Sequence, residues 1–322
     1  MAQLDSDVAL ALLRTMWRIR RFEERVAQLK RTMRVHGLVH LSIGGEGVAA
    51  AVCRQLRDDD VVYSGHRAHG HAIAKGAPLG PLMAELMGRV GGLCHGLGGS
   101  MHIVDRQHGL LGATGVVGGN IPLALGNALA VRLRGSDQVT VVFFGDGAVQ
   151  AGHFSESVNL AALWELPVIL VCENNGFAEF TPRSAHTPVE RVSDVVGPYG
   201  FARQTVDGSD VGAVWAAFAE FLADARQGRG PMLLECLTHR RRGHYEGDAE
   251  AYRDQLAEEE WARRDPVARL GAHAIAAGWL DEAGVVALAG EAADAVEEAV
   301  AFARESPFPG LELMEQLVYA GG

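Results

Sequence analysis

Apolar and polar positions alternate between strand-like and helix-like patterns along the chain. The clearest stretch is VTVVFFGDG (139–147), whose apolar run is typical of a strand buried on both faces. Residues 153–166 then carry apolar side chains at helical spacing, and PVILVCENN (167–175) forms a second buried run. This order predicts a right-handed βαβ unit in which the two strands are parallel.

Segments on both sides extend this unit. Over 6–33, an apolar stripe opposite arginine and glutamate side chains predicts a long helix. The other predicted elements are, in chain order, a helix from 47 to about 56, a strand over 59–65, a helix over 78–90, mostly loop over 91–119, a helix over 120–133, a strand over 201–208, a helix over 210–226, a strand over 231–239 and a helical tail from about 266.

These elements predict an α/β fold, a doubly wound and mostly parallel sheet with helical N- and C-terminal additions. We find no internal repeat and no linker rich in proline or serine. The simplest organisation is therefore one domain over 1–322. Within it we expect an N-terminal helix over 1–35, a core over about 36–265 and a helical tail over about 266–322.

Composition narrows the function classes. With 322 residues, of which 48% are apolar, the chain can bury a large core. A formal charge of −11 disfavours nucleic acid as a partner. The N-terminal MAQLDSDVAL lacks a signal-peptide profile, and no apolar stretch is long enough to span a membrane. Cytoplasmic localisation is expected, and the four dispersed cysteines fit a reducing compartment: Cys53, Cys94, Cys172 and Cys236.

Two polar residues follow the two clearest strands. Asp146 comes just after the first of these strands and Asn175 after the second, so both lie at the sheet edge where ligands bind. A carboxylate and an amide oxygen suit Mg²⁺ or Ca²⁺, and Mg²⁺ often completes its coordination with phosphate oxygens. Gly145 and Gly147 allow the backbone to approach an anion. GDG alone is more often a simple turn, but its position between a buried strand and a helix favours a cation site.

The spacing of GDG and the later NN resembles the signature of thiamine diphosphate enzymes. The text GDGAVQAGHFSESVNLAALWELPVILVCENNGF is similar to the alpha subunit of the first component of 2-oxo acid dehydrogenase complexes, which act on pyruvate, branched-chain 2-oxo acids or acetoin. Further matching segments are RRFEERV (20–26), HRAHGHAIAKG (66–76), MAELMGR (83–89), GGSMHI (98–103), GVVGGNIPLALGNALA (115–130), VDGSD (206–210) and RRRGHYEGDAEAYR (240–253). The resemblance is closest to the acetoin type.

The resemblance implies two cofactors, thiamine diphosphate and Mg²⁺. Asp146, Asn175 and the carbonyl of Phe177 would bind the metal. Arg67 and His244 would hold the diphosphate, which the chemistry of guanidinium and imidazole independently supports. The residues expected to contact the cofactor are His66, Arg67, Gly115, Val117, Gly145, Asp146, Gly147, Ala148, Asn175, Phe177 and His244, with Gly115 and Val117 reaching the aminopyrimidine through their backbones.

His244, His69 and His102 are the candidate catalytic residues. For His69 and His102, a hydrogen-bonded structural role is the alternative. The family also implies a beta subunit in an α2β2 heterotetramer, which carries the glutamate that activates the pyrimidine, and a lipoyl-bearing acyltransferase component. The expected reaction is cleavage of a C–C bond in acetoin or a 2-oxo acid, with transfer of the acyl unit to the lipoyl carrier.

Several positions depart from the family pattern. His66 stands where tyrosine is common, Gln150 and Ala151 replace an asparagine–glutamine pair, Leu97 takes a frequent lysine position, and Tyr245 stands where animal enzymes carry a phosphorylatable serine. The substrate therefore stays open between acetoin, pyruvate, a branched-chain 2-oxo acid and a two-carbon unit in a specialised pathway.

Two function hypotheses of other classes remain beside these. One is a non-catalytic cofactor-binding subunit. The other is a different nucleotide-binding enzyme, against which we note the absence of GxxxxGK[ST] and of a convincing strand before the glycines at 112–119.

Overall fold

A computed structural model describes residues 4–254, 259 and 262–318, so the extreme ends of the expected domain (1–3 and 319–322) and a few positions near 260 lie outside the described residues. The helices of this part are α1 (Ser6–Arg31), α2 (Glu46–Cys53), α3 (Ala68–Lys75), α4 (Leu79–Leu86), α5 (Asn120–Arg134), α6 (Gly152–Leu163), α7 (Arg183–His186), α8 (Val192–Val196), α9 (Val211–Arg226), α10 (Pro266–Ala276), α11 (Glu282–Glu305) and α12 (Leu311–Val318). None of them is both long enough and apolar enough to cross a membrane.

Six strands form the central sheet. They are β1 (Val61–Ser64), β2 (Leu110–Ala113), β3 (Thr140–Gly145), β4 (Val168–Asn174), β7 (Ala202–Asp207) and β8 (Met232–Leu237). Their spatial order is β2-β1-β3-β4-β8-β7, and every neighbouring pair is parallel. A separate antiparallel hairpin joins β5 (Phe177–Ala178) to β6 (Thr181–Pro182). The predicted α/β fold with a mostly parallel sheet is confirmed.

Helices cover both faces of the sheet, which explains the continuous apolar runs of the central strands. Val141 and Phe143 of β3 point into the larger core, which includes side chains of α1, α2, α9 and α11. Val142 and Phe144 point into a second core with side chains of α5, α6 and α8. Successive side chains of a strand face opposite sides, so a strand buried on both faces must be apolar at every position.

Helix α3, strand β2, the hairpin β5–β6 and the short helices α7 and α8 were not predicted from the sequence. All eight residues of α3 are buried, so this helix lacks the polar face that makes a helical period visible. Strand β2 lies within the segment 91–119 that was predicted to be mostly loop, and it pairs with β1. Because β2 contains Gly112 and leads directly into the glycines at 115, 118 and 119, the expectation that no convincing strand precedes this segment was wrong. Their spacing in GATGVVGG still lacks GxGxxG.

A buried carboxylate organises the glycine-rich loop that follows α4. Glu85 has no exposed surface. One of its oxygens accepts hydrogen bonds from the backbone N–H groups of Cys94 (2.7 Å) and Gly96 (2.9 Å). The other accepts from Gly98 (2.8 Å) and Gly99 (2.9 Å). A segment without regular structure of its own is thereby held in one conformation.

Candidate cofactor site

A cavity of about 320 Å³ lies at the carboxyl edge of the sheet, where β3 and β4 end side by side at the pair Gly145 and Glu173. Ligands bind at this edge in open parallel sheets. The predicted site residues that line the cavity are His66, Arg67, Val117, Gly145, Gly147, Ala148, Asn175, Phe177 and His244. The fold therefore brings residues that are far apart in the sequence together around one cavity.

The backbone approaches closely at Gly147. A Cβ atom at this position would lie 2.9 Å from the Cβ of Ala178, closer than two such atoms normally pack. Glycine is therefore required here by the neighbouring hairpin β5–β6, independently of any ligand.

Asp146 stands between two residues that line the cavity, Gly145 and Gly147, but does not line it itself. Its side chain is fully buried, and its Oδ1 accepts a hydrogen bond from the backbone N–H of Asn175 at 3.2 Å. Its Oδ2 has no hydrogen-bond partner among the described residues. Burial raises the pKa of Asp146 to about 6, although the Asn175 N–H and the nearby Arg183 guanidinium oppose this shift.

These atoms fit a hard divalent cation. The Oδ1 of Asn175 accepts from the N–H of Phe177 at 3.2 Å, so the three predicted metal ligands belong to one hydrogen-bonded unit. A buried carboxylate oxygen without a donor is costly unless a positive charge approaches it. Carboxylate, amide and carbonyl oxygens are the donors that Mg²⁺ accepts.

Two guanidinium groups, those of Arg67 and Arg240, also line the cavity. Arg67 donates to the carbonyl oxygens of Leu41 (2.7 Å) and His244 (2.8 Å), and burial together with the nearby Arg240 lowers its pKa to about 9. Arg240 donates to the carbonyl of Glu179 (2.9 Å) and to the hydroxyl of Tyr252 (2.7 Å). Two fixed positive charges at one cavity wall favour an anionic ligand such as a diphosphate.

Three imidazoles form a cluster beside these arginines. The ring of His40 lies 4.7 Å from that of His66 and 4.9 Å from that of His244. Burial, followed by the positive charge of Arg67, lowers the pKa of His40 to about 3, of His66 to about 2 and of His244 to about 4. All three are neutral at pH 7, so each ring has one N–H group that can donate to an anion and one nitrogen that can accept a hydrogen bond.

His40, His71 and Glu173 were not among the predicted site residues. His71 and Glu173 line the cavity, and the Nε2 of His71 lies 3.5 Å from a carboxylate oxygen of Glu173. The other ring nitrogen of His71 lies 2.8 Å from the hydroxyl of Ser64. The available signal for His71 and Glu173 was their place inside two quoted segments, HRAHGHAIAKG and PVILVCENN, whereas His40 lies in none of them.

Besides Asp146, three predicted residues do not line the cavity. His69 is fully buried, and its ring nitrogens lie 2.9 Å from a carboxylate oxygen of Glu23 and 2.9 Å from the hydroxyl of Ser100. His102 is exposed, with its Nδ1 3.3 Å from the carbonyl of Gly98. Gly115 packs near the ring of His102. The surroundings of His69 match the structural alternative, and catalytic roles for His69 and His102 stay predictions.

Comparison with known proteins identifies the family. The model of the family described as "Dehydrogenase E1 component" matches residues 14–312. The alpha subunits of acetoin:2,6-dichlorophenolindophenol oxidoreductase from Bacillus subtilis and Cupriavidus necator are 41% and 42% identical to the chain, covering 95% and 98% of it and 92% and 95% of their own lengths. The alpha subunit of the pyruvate dehydrogenase E1 component from Rhizobium meliloti is 39% identical over 96% of the chain and 89% of its own length. The chain, with its cavity at the carboxyl edge of the sheet, thus belongs to the dehydrogenase E1 component family.

Proposed function

We propose that the chain is the alpha subunit of a thiamine diphosphate- and Mg²⁺-dependent oxidoreductase. The enzyme cleaves a C–C bond of acetoin or a 2-oxo acid and passes the acyl unit to a lipoyl carrier. The observation that carries the proposal is the buried Asp146, whose Oδ2 accepts no hydrogen bond from the described residues, next to a cavity that Asn175 and two arginines line. This arrangement supplies negative ligands for a cation and positive ligands for a diphosphate in one cavity.

Each group has a defined task in this proposal. Asp146, the Asn175 side chain and the Phe177 carbonyl hold Mg²⁺, while Arg67 and His244 hold the diphosphate. The neighbouring positions His66, Gly145, Gly147 and Ala148 contact the cofactor, and Gly115 and Val117 approach its aminopyrimidine through their backbones. When bound, thiamine diphosphate supplies the electron sink for breaking a bond next to a carbonyl group.

We further propose that the chain works with a beta subunit in an α2β2 heterotetramer and with a lipoyl-bearing acyltransferase. Two of the relatives described above are themselves named as alpha subunits of an acetoin oxidoreductase. The carboxylate that activates the pyrimidine is expected on the beta subunit. All four cysteines are free thiols, which suits the reducing conditions of the cytoplasm.

Acetoin is the first choice of substrate. It rests on the names of the relatives that are 41% and 42% identical, whereas the pyruvate dehydrogenase relative is 39% identical. The pair of subunits should be assayed with acetoin, pyruvate and 3-methyl-2-oxobutanoate, with 2,6-dichlorophenolindophenol as electron acceptor. The highest kcat/KM on acetoin supports the choice, and a clear preference for pyruvate overturns it.

Calorimetric titration of thiamine diphosphate into the complex of both subunits tests the cofactor assignment. We expect binding that needs Mg²⁺, disappears in EDTA and weakens more than about 100-fold in Asp146→Ala, because loss of a metal ligand exceeds the effect of losing an outer contact. The exposed Asp294→Ala is the matched control and should bind like the wild type. Failure of the assembled wild-type complex to bind the cofactor would favour a non-catalytic subunit.

A further inference from the structure

Arg183 lies beside the proposed metal ligands but has been given no role so far. It is the first residue of α7, and its backbone N–H donates to the carbonyl of Gly176 at 2.8 Å. This bond ties Arg183 to the turn directly after Asn175. Its side chain is only 14% exposed, and its Nη2 donates to the carbonyl of Val189 at 3.1 Å. Arg183 is therefore fixed both at its backbone and at the end of its side chain.

The rest of this guanidinium faces Asp146. The Nη1 of Arg183 lies 3.9 Å from the Oδ2 of Asp146, which is an ion-pair distance but too long for a hydrogen bond. Within the described part of the chain, neither this nitrogen, nor the Nε of Arg183, nor the Oδ2 of Asp146 has a hydrogen-bond partner. A mostly buried guanidinium and a fully buried carboxylate thus face each other without the hydrogen bond that usually accompanies a buried ion pair.

We propose that Arg183 is the counter-ion of the cation site: it stabilises the carboxylate of Asp146 when no cation is bound and opposes the cation when one binds. Mg²⁺ lies about 2.0–2.1 Å from its oxygen ligands, so a cation on this Oδ2 is within about 6 Å of the guanidinium nitrogen. Like charges at that separation in a buried site repel each other.

Two consequences follow from this arrangement. The charge of Arg183 lets the chain fold with a buried, ionised Asp146 before cofactor arrives. The same charge raises the Mg²⁺ concentration at which the site fills, since every bound cation must overcome the repulsion. Arg183 is thus a positioning residue that sets cation affinity, and it does not line the cavity itself. The inference about affinity rests on the proposed cation site, whereas the inference about folding does not.

Removing the charge while keeping the length of the side chain tests both consequences. Arg183→Met and Arg183→Lys are compared with the wild type and with Arg191→Met. The latter removes a nearby arginine that is more exposed than Arg183 and pairs with Glu190. Mn²⁺ serves as the probe, because its free fraction is measured by electron paramagnetic resonance. Each full-length protein, with its beta subunit, is titrated with and without thiamine diphosphate, and its melting temperature is recorded in EDTA.

We expect Arg183→Met to bind Mn²⁺ at least about five-fold more tightly than the wild type, because the repulsive charge is gone. In EDTA its melting temperature should be at least about 3 °C lower, because Asp146 is left buried without a counter-charge. Arg183→Lys and Arg191→Met should behave like the wild type in both measurements. This combination supports the proposal.

Other outcomes overturn it. Unchanged or weaker Mn²⁺ binding by Arg183→Met means that Arg183 does not oppose the cation. An unchanged melting temperature in EDTA means that it does not stabilise Asp146. If the wild-type complex itself binds no Mn²⁺ with thiamine diphosphate, the proposed cofactor site and the affinity inference fail together, while the melting temperatures still decide the counter-ion role.

Discussion

Replacing Glu85 with glutamine is expected to loosen the glycine-rich loop after α4. The carboxylate accepts four backbone hydrogen bonds, two on each oxygen. Glutamine keeps one acceptor oxygen but turns an NH2 group toward the other two N–H donors. Two partly buried donors left unsatisfied at about 1–3 kcal/mol each give an expected loss of about 2–4 kcal/mol, because water reaches some of this loop.

Native-state hydrogen exchange measured on peptides covering 91–101 tests this magnitude locally. A loss of about 2–4 kcal/mol corresponds to about 30- to 700-fold faster exchange, since every 1.4 kcal/mol is a factor of ten. The exposed Glu298→Gln removes the same charge from α11 and should leave exchange unchanged. If Glu85→Gln and Glu298→Gln exchange alike in these peptides, the four hydrogen bonds do not determine the conformation of the loop.

Two further predictions concern the cavity. The pKa of the buried His40 is about 3 in the folded chain and near its ordinary value of about 6.5 when unfolded, so the unfolded state binds more protons as the pH falls below about 6.5. The contribution of the neutral His40 to stability is therefore fully present above that pH and is lost as the pH falls toward 3. His40→Gln should reduce the slope of unfolding free energy against pH by about 1 kcal/mol per pH unit between pH 6 and 4, measured by urea unfolding, and an unchanged slope contradicts the assignment. Arg67→Lys should weaken binding of thiamine diphosphate by about ten-fold or more, because lysine cannot keep both carbonyl contacts of Arg67 and also face a phosphate. Equal affinity of this variant and the wild type in calorimetry would falsify a role for Arg67 in binding the diphosphate.

The sequence alone determined the central part of the fold. Strands β3 and β4 were visible because both of their faces are buried, which makes the runs continuously apolar. Asp146 and Asn175 could then be placed at the same sheet edge, because parallel strands end on the same side. The long helices α1 and α9 were predicted for a related reason, since each combines an apolar face with a polar one.

Only the tertiary structure decided the rest. Helix α3 and strand β2 were missed because a fully buried helix has no polar face and a four-residue strand has almost no period. Contacts between distant segments likewise have no signature in a single sequence. His40 joins His66 and His244 only when three loops meet, and His69 is turned into the core by Glu23. Local sequence patterns reflect which face of a helix or strand is buried, whereas long-range contacts depend on how the whole chain packs.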